Sequence, residues 1–178
     1  RVQALRSIDT AINSNMDLLL TLNMLISQAI ALMKVDAAAT LLYNPVTHML
    51  EYATAQGFHH KEIENANPKL NHGFANTAII ERRMVKVTNL KNAEDRMYRE
   101  IAIKEGFESC HIVPMIANGQ VCGILEVYNK TAFSPDQEWL DFLEALGGQA
   151  AIAIHSAQLF ENLEKSNLEL SLAYDATI

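Results

Sequence analysis

SCHIVPMIANGQVCGILEVYN, residues 109–129, decides the fold. Two apolar, β-favouring runs flank Asn118-Gly119, a dipeptide suited to the two positive-φ positions of a tight hairpin turn. A two-residue turn pairs Ala117 with Gln120 and Ile116 with Val121, and strict alternation carries that register outward. One face then holds Cys110, Ile112, Pro114, Ile116, Val121, Gly123, Leu125 and Val127, an aliphatic surface expected to meet helices. The other holds Ser109, His111, Val113, Met115, Cys122, Ile124, Glu126 and Tyr128, with His111 opposite Glu126 and Ser109 opposite Tyr128. A half-polar face of this kind is either the wall of a pocket or a solvated side carrying an ordinary His–Glu cross-strand pair. The same register sends Cys110 and Cys122 to opposite faces, so no disulfide joins them. Each reads as a buried structural thiol.

Outward from the hairpin, the ends of the chain read as helices. Leu5, Ile8 and Ile12 stand at helical spacing; Asn13-Ser14-Asn15 interrupts, and Asn15 is placed to cap a second helix over about Met16–Lys34. In it Leu18, Leu22, Leu25, Ile26, Ala29 and Met33 form a broad apolar face. Residues 37–57 hold two β-favouring runs around Asn44-Pro45-Val46-Thr47, a second hairpin. A polar irregular stretch follows, then a short helix at 74–83, a short strand in MVKVTN, and a charged helix over about 95–105 closed by Gly106. Beyond the hairpin, VYNKTAFSPDQEWL (127–140) starts a long helix, relaxed near Gly147-Gly148. Its reading gives Ser134 as N-cap, Pro135 at the first helical position, Gln137 completing a capping box and Lys130 contacting Asp136.

The 178 residues are 49% hydrophobic and 20% charged, with mean hydropathy near zero, as for one soluble globular domain. The net charge of −7 and the lack of any basic stripe longer than Glu81-Arg82-Arg83 argue against nucleic acid as a partner. The apolar run Met16–Met33 is broken by Asp17, Thr21, Asn23, Ser27 and Gln28, and reads as a core helix rather than a membrane span. The chain opens in helix-like sequence without a signal peptide, the look of a piece of a longer, cytoplasmic protein. No P-loop, GxGxxG, CxxC or Ser/His/Asp arrangement is present, and His59-His60 lacks a partner at metal-ligand spacing, so no catalytic residue and no metal site is assigned.

The order of these segments resembles a GAF domain across essentially the whole chain. MDLLLTLNMLISQAIALMKVDAAATLLYNPVTHMLEYATAQG, LNHGFANTAIIERRMVKVTNL, GFESCHIVPMIANGQVCGILEVYN and FSPDQEWLDFLEALGGQAAIAI carry the resemblance. It implies an α+β fold: three layers, α/β/α, with a central antiparallel sheet of about six strands. The helical termini would pack on one face, and short helices would lid a small-molecule pocket on the other. It divides the chain into an N-terminal linker helix (1–15), the domain (16–158) and a C-terminal signalling helix (159–178). It also implies a non-catalytic regulatory module of a bacterial-type signalling protein, homodimeric through its terminal helices and sensing a small molecule for a linked output domain. A GAF domain kept only as a dimerisation scaffold is the alternative. The tail resembles the linker before an HD-type phosphodiesterase domain. Phe160, Leu163, Asn167, Leu170 and Tyr174 fit coiled-coil spacing there, although a helix simply running off the domain fits nearly as well.

The pocket, on this reading, is lined by Tyr43, His72, Phe74, Ser109, His111, Met115, Glu126 and Tyr128, and the helix start at Gly73-Phe74-Ala75 supplies N–H donors. The ligand is unknown: a cyclic nucleotide or another small metabolite. The cyclic-nucleotide signature of related domains is matched by Asn129, Lys130 and Phe133, but its acidic pair is displaced and split as Asp136 and Glu138. Bilin attachment and haem ligation are disfavoured, because Cys110 is assigned to the aliphatic face and His111 to a pair with Glu126.

Overall fold

A computed structural model describes residues 2–65 and 73–177, the side chains of 2–15 and Asn65 aside. Helix α1 (Val2–Met33) leads into strands β1 (Ala37–Asn44) and β2 (Met49–Gln56). Then come α2 (Phe74–Glu81), β3 (Val85–Val87), α3 (Arg96–Glu105), β4 (Ser109–Ala117), β5 (Gln120–Asn129) and α4 (Gln137–Thr177). The strands form one antiparallel sheet in the order β2-β1-β5-β4-β3. Five strands are seen among the described residues, against the six or so expected.

The layers are those the sequence implies. Leu22, Leu25, Ile26 and Ala29 of α1 and Leu143, Leu146, Ala150 and Ile154 of α4 are buried on one sheet face. On the other lie Ala78 and Ile79 of α2 and Tyr98, Ile101 and Ala102 of α3. A Cβ on Gly147 would stand 2.9 Å from Val113 Cγ1, so the missing side chain lets α4 approach β4 closely. The helix runs through Gly147-Gly148 without a break.

Three local expectations are corrected. Asn13-Ser14-Asn15 does not divide the N-terminal helix, because each residue costs only a fraction of a kcal/mol relative to a good helix former. Helix α4 starts at Gln137, and Asp136, not Ser134, caps it: its Oδ1 accepts from Trp139 N at 2.9 Å. Lys130 makes its tie through the backbone, its N–H donating to Asp36 Oδ2 at 2.6 Å rather than its ammonium pairing with Asp136. The stretch from 127 to 140 is still a clasp, but it fastens β5 to the α1–β1 junction.

The helix segment Met16–Met33, with mean hydropathy 1.6, is long and apolar enough to cross a membrane. One of its sides lies on the sheet, where Gln56 of β2 donates to Ser27 Oγ at 2.8 Å and to the Asn23 carbonyl at 3.1 Å.

The hairpin turn forms as read, with Asn118 at φ 50° and Gly119 at φ 73°. Its register does not stay regular. Ala117 pairs with Gln120 and Ile116 with Val121, but Met115 pairs with Gly123, leaving Cys122 as an extra residue. This β-bulge shifts every outer pair: Ile112 faces Glu126 and Cys110 faces Tyr128. The faces of β4 are thereby exchanged. Cys110 and Ile112 join Ile124 and Tyr128 under the short helices, while His111, Val113 and Met115 turn towards the terminal helices. The cysteines stay on opposite faces, on sides reversed from the expected ones, and both are free thiols.

A buried carboxyl–tyrosine cluster beneath the short helices

Glu126 is fully buried in the middle of β5. Its lateral neighbours are Ala39 of β1 and Ile112 of β4, and no cationic side chain bonds to it among the described residues. The Tyr98 hydroxyl, presented by the inner side of α3, donates to Glu126 Oε2. Glu126 Oε1 and the Tyr52 hydroxyl, both buried, have no hydrogen-bond partner among the described residues, and the Tyr128 hydroxyl lies close to the Glu126 carboxyl without an aligned hydrogen bond to it. Natural interiors rarely leave such groups unpaired, and each costs about 1–3 kcal/mol.

Burial raises the Glu126 carboxyl to about 7; the Tyr98 and Tyr128 hydroxyls oppose that rise, and Asp95 adds to it. Burial also raises Tyr52, Tyr98 and Tyr128, with the Glu126 charge next in each case. An aromatic wall adjoins the cluster. Phe107 stacks on Tyr128 at 4.9 Å, Phe58 meets both edge-on at 5.7 and 5.5 Å, and Phe74 tilts against Tyr98 at 5.7 Å.

Of the predicted lining residues, the fold brings together Phe74, Glu126 and Tyr128. Tyr43 shares their face but sits four residues along β1 from Ala39, about 13 Å away, with its hydroxyl 3.1 Å from His48 Nδ1. Ser109, His111 and Met115 do not line this side, because the bulge turns them over. Ser109 donates to the Thr131 carbonyl at 3.3 Å. His111 packs edge-on against Trp139 at 4.8 Å, and burial, with Lys86 nearby, lowers its imidazole to about 4. His72 lies outside the described residues.

The helix start at Gly73-Phe74-Ala75 already has its anion. Asp95 Oδ2 accepts from Phe74 N at 2.9 Å while its Oδ1 accepts from Met97 N at 3.1 Å, so one carboxylate caps both α2 and α3. Gly73 allows this, since a Cβ there would lie 2.1 Å from Asp95 Oδ2.

Sequence reading missed Tyr98, Tyr52, Cys110 and Glu105. Tyr98, Ile101, Ala102 and Glu105 are buried at spacings that put them on one face of α3, a signal available in the charged helix. The Glu105 side chain, itself buried, accepts from the backbone N–H groups of His59 and His60 at 2.9 and 2.8 Å. Their Nδ1 atoms stand 3.3 and 2.9 Å from the same carboxylate. This ties the chain after β2 to the end of α3.

Cys110 does share the cluster's face, contrary to its expected side, but burial holds it as a thiol well above the ordinary range and makes it a poor nucleophile for a bilin. His111 packs on Trp139, on the far side of the sheet from this cluster.

Comparison with known proteins agrees with this architecture. A family model described as GAF domain matches residues 16–155. The chain is 29% identical over 117 residues to a methyl sulfide methyltransferase-associated sensor of Methanosarcina acetivorans, covering 65% of this chain but only 12% of that relative. The GAF domain of an Acinetobacter phosphoenolpyruvate-protein phosphotransferase superposes with TM-score 0.69 at 19% identity, over 91% of this chain and 98% of that one. A GAF domain/HD domain protein from Geobacter sulfurreducens gives 0.68 at 14% identity, over 80% and 95%. With the family matched over most of its length and the fold matched at these scores, the chain belongs to the GAF domain family.

Proposed function

We propose that this domain is a non-catalytic sensor module of a cytoplasmic signalling protein, binding a small molecule beneath α2 and α3. The observation that carries the reading is the set of unpartnered buried oxygens on Glu126, Tyr128 and Tyr52. Strand β5 supplies a route for the signal. Glu126 and Tyr128 face the cluster, while Leu125 and Val127, alternating with them, are buried against the terminal helices. A ligand that favours one placement of β5 would shift the packing of α1 and α4, and through α4 an output domain, of which the HD type is one candidate.

The test is a thermal-shift screen of cyclic nucleotides and small metabolites on the 178-residue chain, with native mass spectra of material purified from cells. A ligand at 100 times its Kd adds about 2.7 kcal/mol of stability. A stabilising compound whose effect is lost in Tyr128→Phe supports the reading. Silence across the screen, with no co-purifying mass, contradicts it.

A second reading, dimerisation without a ligand, is favoured by the apolar residues left exposed on both terminal helices. Met16, Leu20 and Met24 of α1 and Ile152, Leu159 and Leu163 of α4 are each more than half exposed. A dimer with no response to any ligand would favour this scaffold reading, and sedimentation of the chain against Leu159→Glu/Leu163→Glu tests the dimer. Loss of a dimer with ligand response intact would place sensing within the single domain.

A further inference from the structure

We propose that this buried cluster recognises a small organic cation, a protonated amine whose N–H groups donate to Glu126 Oε1 and to the Tyr52 and Tyr128 hydroxyls. This rests on the sensing role proposed above and names the class of ligand.

Charge is the first argument. Glu126 is buried without a cation, and two further carboxylates act on the same cluster: Asp95 on Glu126 and Glu64 on Tyr52. No Lys or Arg is buried among the described residues, and the buried histidine, His111, is on the opposite sheet face. A phosphate or carboxylate ligand would set a second negative charge beside Glu126 with nothing to offset it. The anion-binding end of α2 is already taken by Asp95.

The hydrogen-bonding inventory gives the second argument. In this cluster the unpartnered atoms are one carboxyl oxygen and two hydroxyl oxygens, all able to accept. An ammonium group is a compact donor to such a set, with no acceptor of its own. The third is the aromatic surround: Phe58, Phe107 and Tyr128 pack together and Phe74 packs on Tyr98, an environment of ring π-systems that favours a desolvated cation over an anion.

Binding should carry a pH signature. The titratable and charged groups facing Glu126 are Tyr98 and the capping Asp95 from α3, Tyr52 from β2, Cys110 from β4 and Tyr128 from β5 itself. Burial holds Glu126 at about 7 and pushes the tyrosines and Cys110 upward, and the amine needs the ionised form of Glu126. Affinity therefore rises by up to about tenfold per pH unit below 7 and levels off above it.

The experiment titrates the 178-residue chain with methylamine, trimethylamine and putrescine, and with acetate, phosphate and cyclic AMP, at matched ionic strength. Thermal shift and calorimetry are recorded at pH 6 and 8. The expected result is saturable stabilisation by at least one ammonium compound, about tenfold tighter at pH 8 than at pH 6. That response is lost in Glu126→Gln and weakened tenfold or more in Tyr128→Phe, which keeps the carboxylate and covers the case of a misfolded glutamine variant. Stabilisation by anions or cyclic AMP alone would overturn the cation class and leave the sensing role standing. Silence from every compound would overturn the cation class, and the sensing role falls only if the wider screen and the native mass spectra are silent as well. An ammonium response unchanged in both variants would mean adventitious surface binding and would overturn the assignment.

Discussion

Replacing Glu126 by glutamine should make the domain more stable at alkaline pH while changing little in acid. Glutamine keeps the shape and one acceptor for the Tyr98 hydroxyl but cannot ionise. In the wild type, burial holds the carboxyl at about 7 against an ordinary 4.5. Below pH 4.5 it is protonated in folded and unfolded chains alike and no penalty exists. As pH rises through 4.5 to 7 the unfolded chain releases its proton first, so stability falls. At 1.36 kcal/mol per pH unit the loss reaches about 3 kcal/mol above pH 7. Urea unfolding of both proteins at pH 5, 6, 7 and 8 isolates this effect, because every other titrating group cancels in the difference. The difference should move in the variant's favour by roughly 2–3 kcal/mol from pH 5 to pH 8. A difference constant within about 0.5 kcal/mol would refute the reasoning, since the carboxylate would then be solvated or already paired.

Three further outcomes follow from other residues. His111, held neutral at about 4, contributes stability that is complete above pH 6.5 and is lost as pH falls towards 4, so His111→Phe should flatten the acid limb of a Tm–pH curve in that window. Glu105, lowered to about 2 by its bonds from His59 and His60 against the opposing effect of burial, contributes stability present above 4.5 and lost as pH falls through 2. Glu105→Ala should cost about 2–4 kcal/mol in urea unfolding and release the His59 and His60 amides to hydrogen exchange. In Gly123→Ala the new Cβ would stand 2.0 Å from the Leu41 carbonyl oxygen, in the middle of three paired strands. Separating them should cost about 3 kcal/mol or more in a denaturant midpoint.

The parts of the fold legible in the sequence are those fixed by local chemistry. Asn118-Gly119 specifies its turn, Gly106 its helix end and the apolar stripe of α1 its buried face. The β-bulge was the costly miss. Alternation from a correctly placed turn assigns Glu126 and Tyr128 to the pocket, but it carries Ser109, His111 and Met115 with them. Gly123 was the available signal, because an isolated glycine inside a strand marks a bulge or a close backbone approach, and here it marks both. The remaining site residues were hidden for a different reason. Tyr98, Tyr52 and Glu126 are far apart in the chain and meet only through tertiary packing. Helix α3 looks like a charged surface helix until Tyr98 is placed on its inner side.

The proposed recognition site centres on Glu126, a buried carboxyl that no cationic side chain bonds among the described residues. The most direct measurement is a pH titration of the Glu126 side-chain carboxyl by carbon-13 NMR, assigned by its loss in Glu126→Gln and repeated with saturating methylamine. The account predicts a midpoint near 7 in the free domain, moving to lower pH when the amine binds. A midpoint near 4.5 that no ammonium compound moves would contradict it.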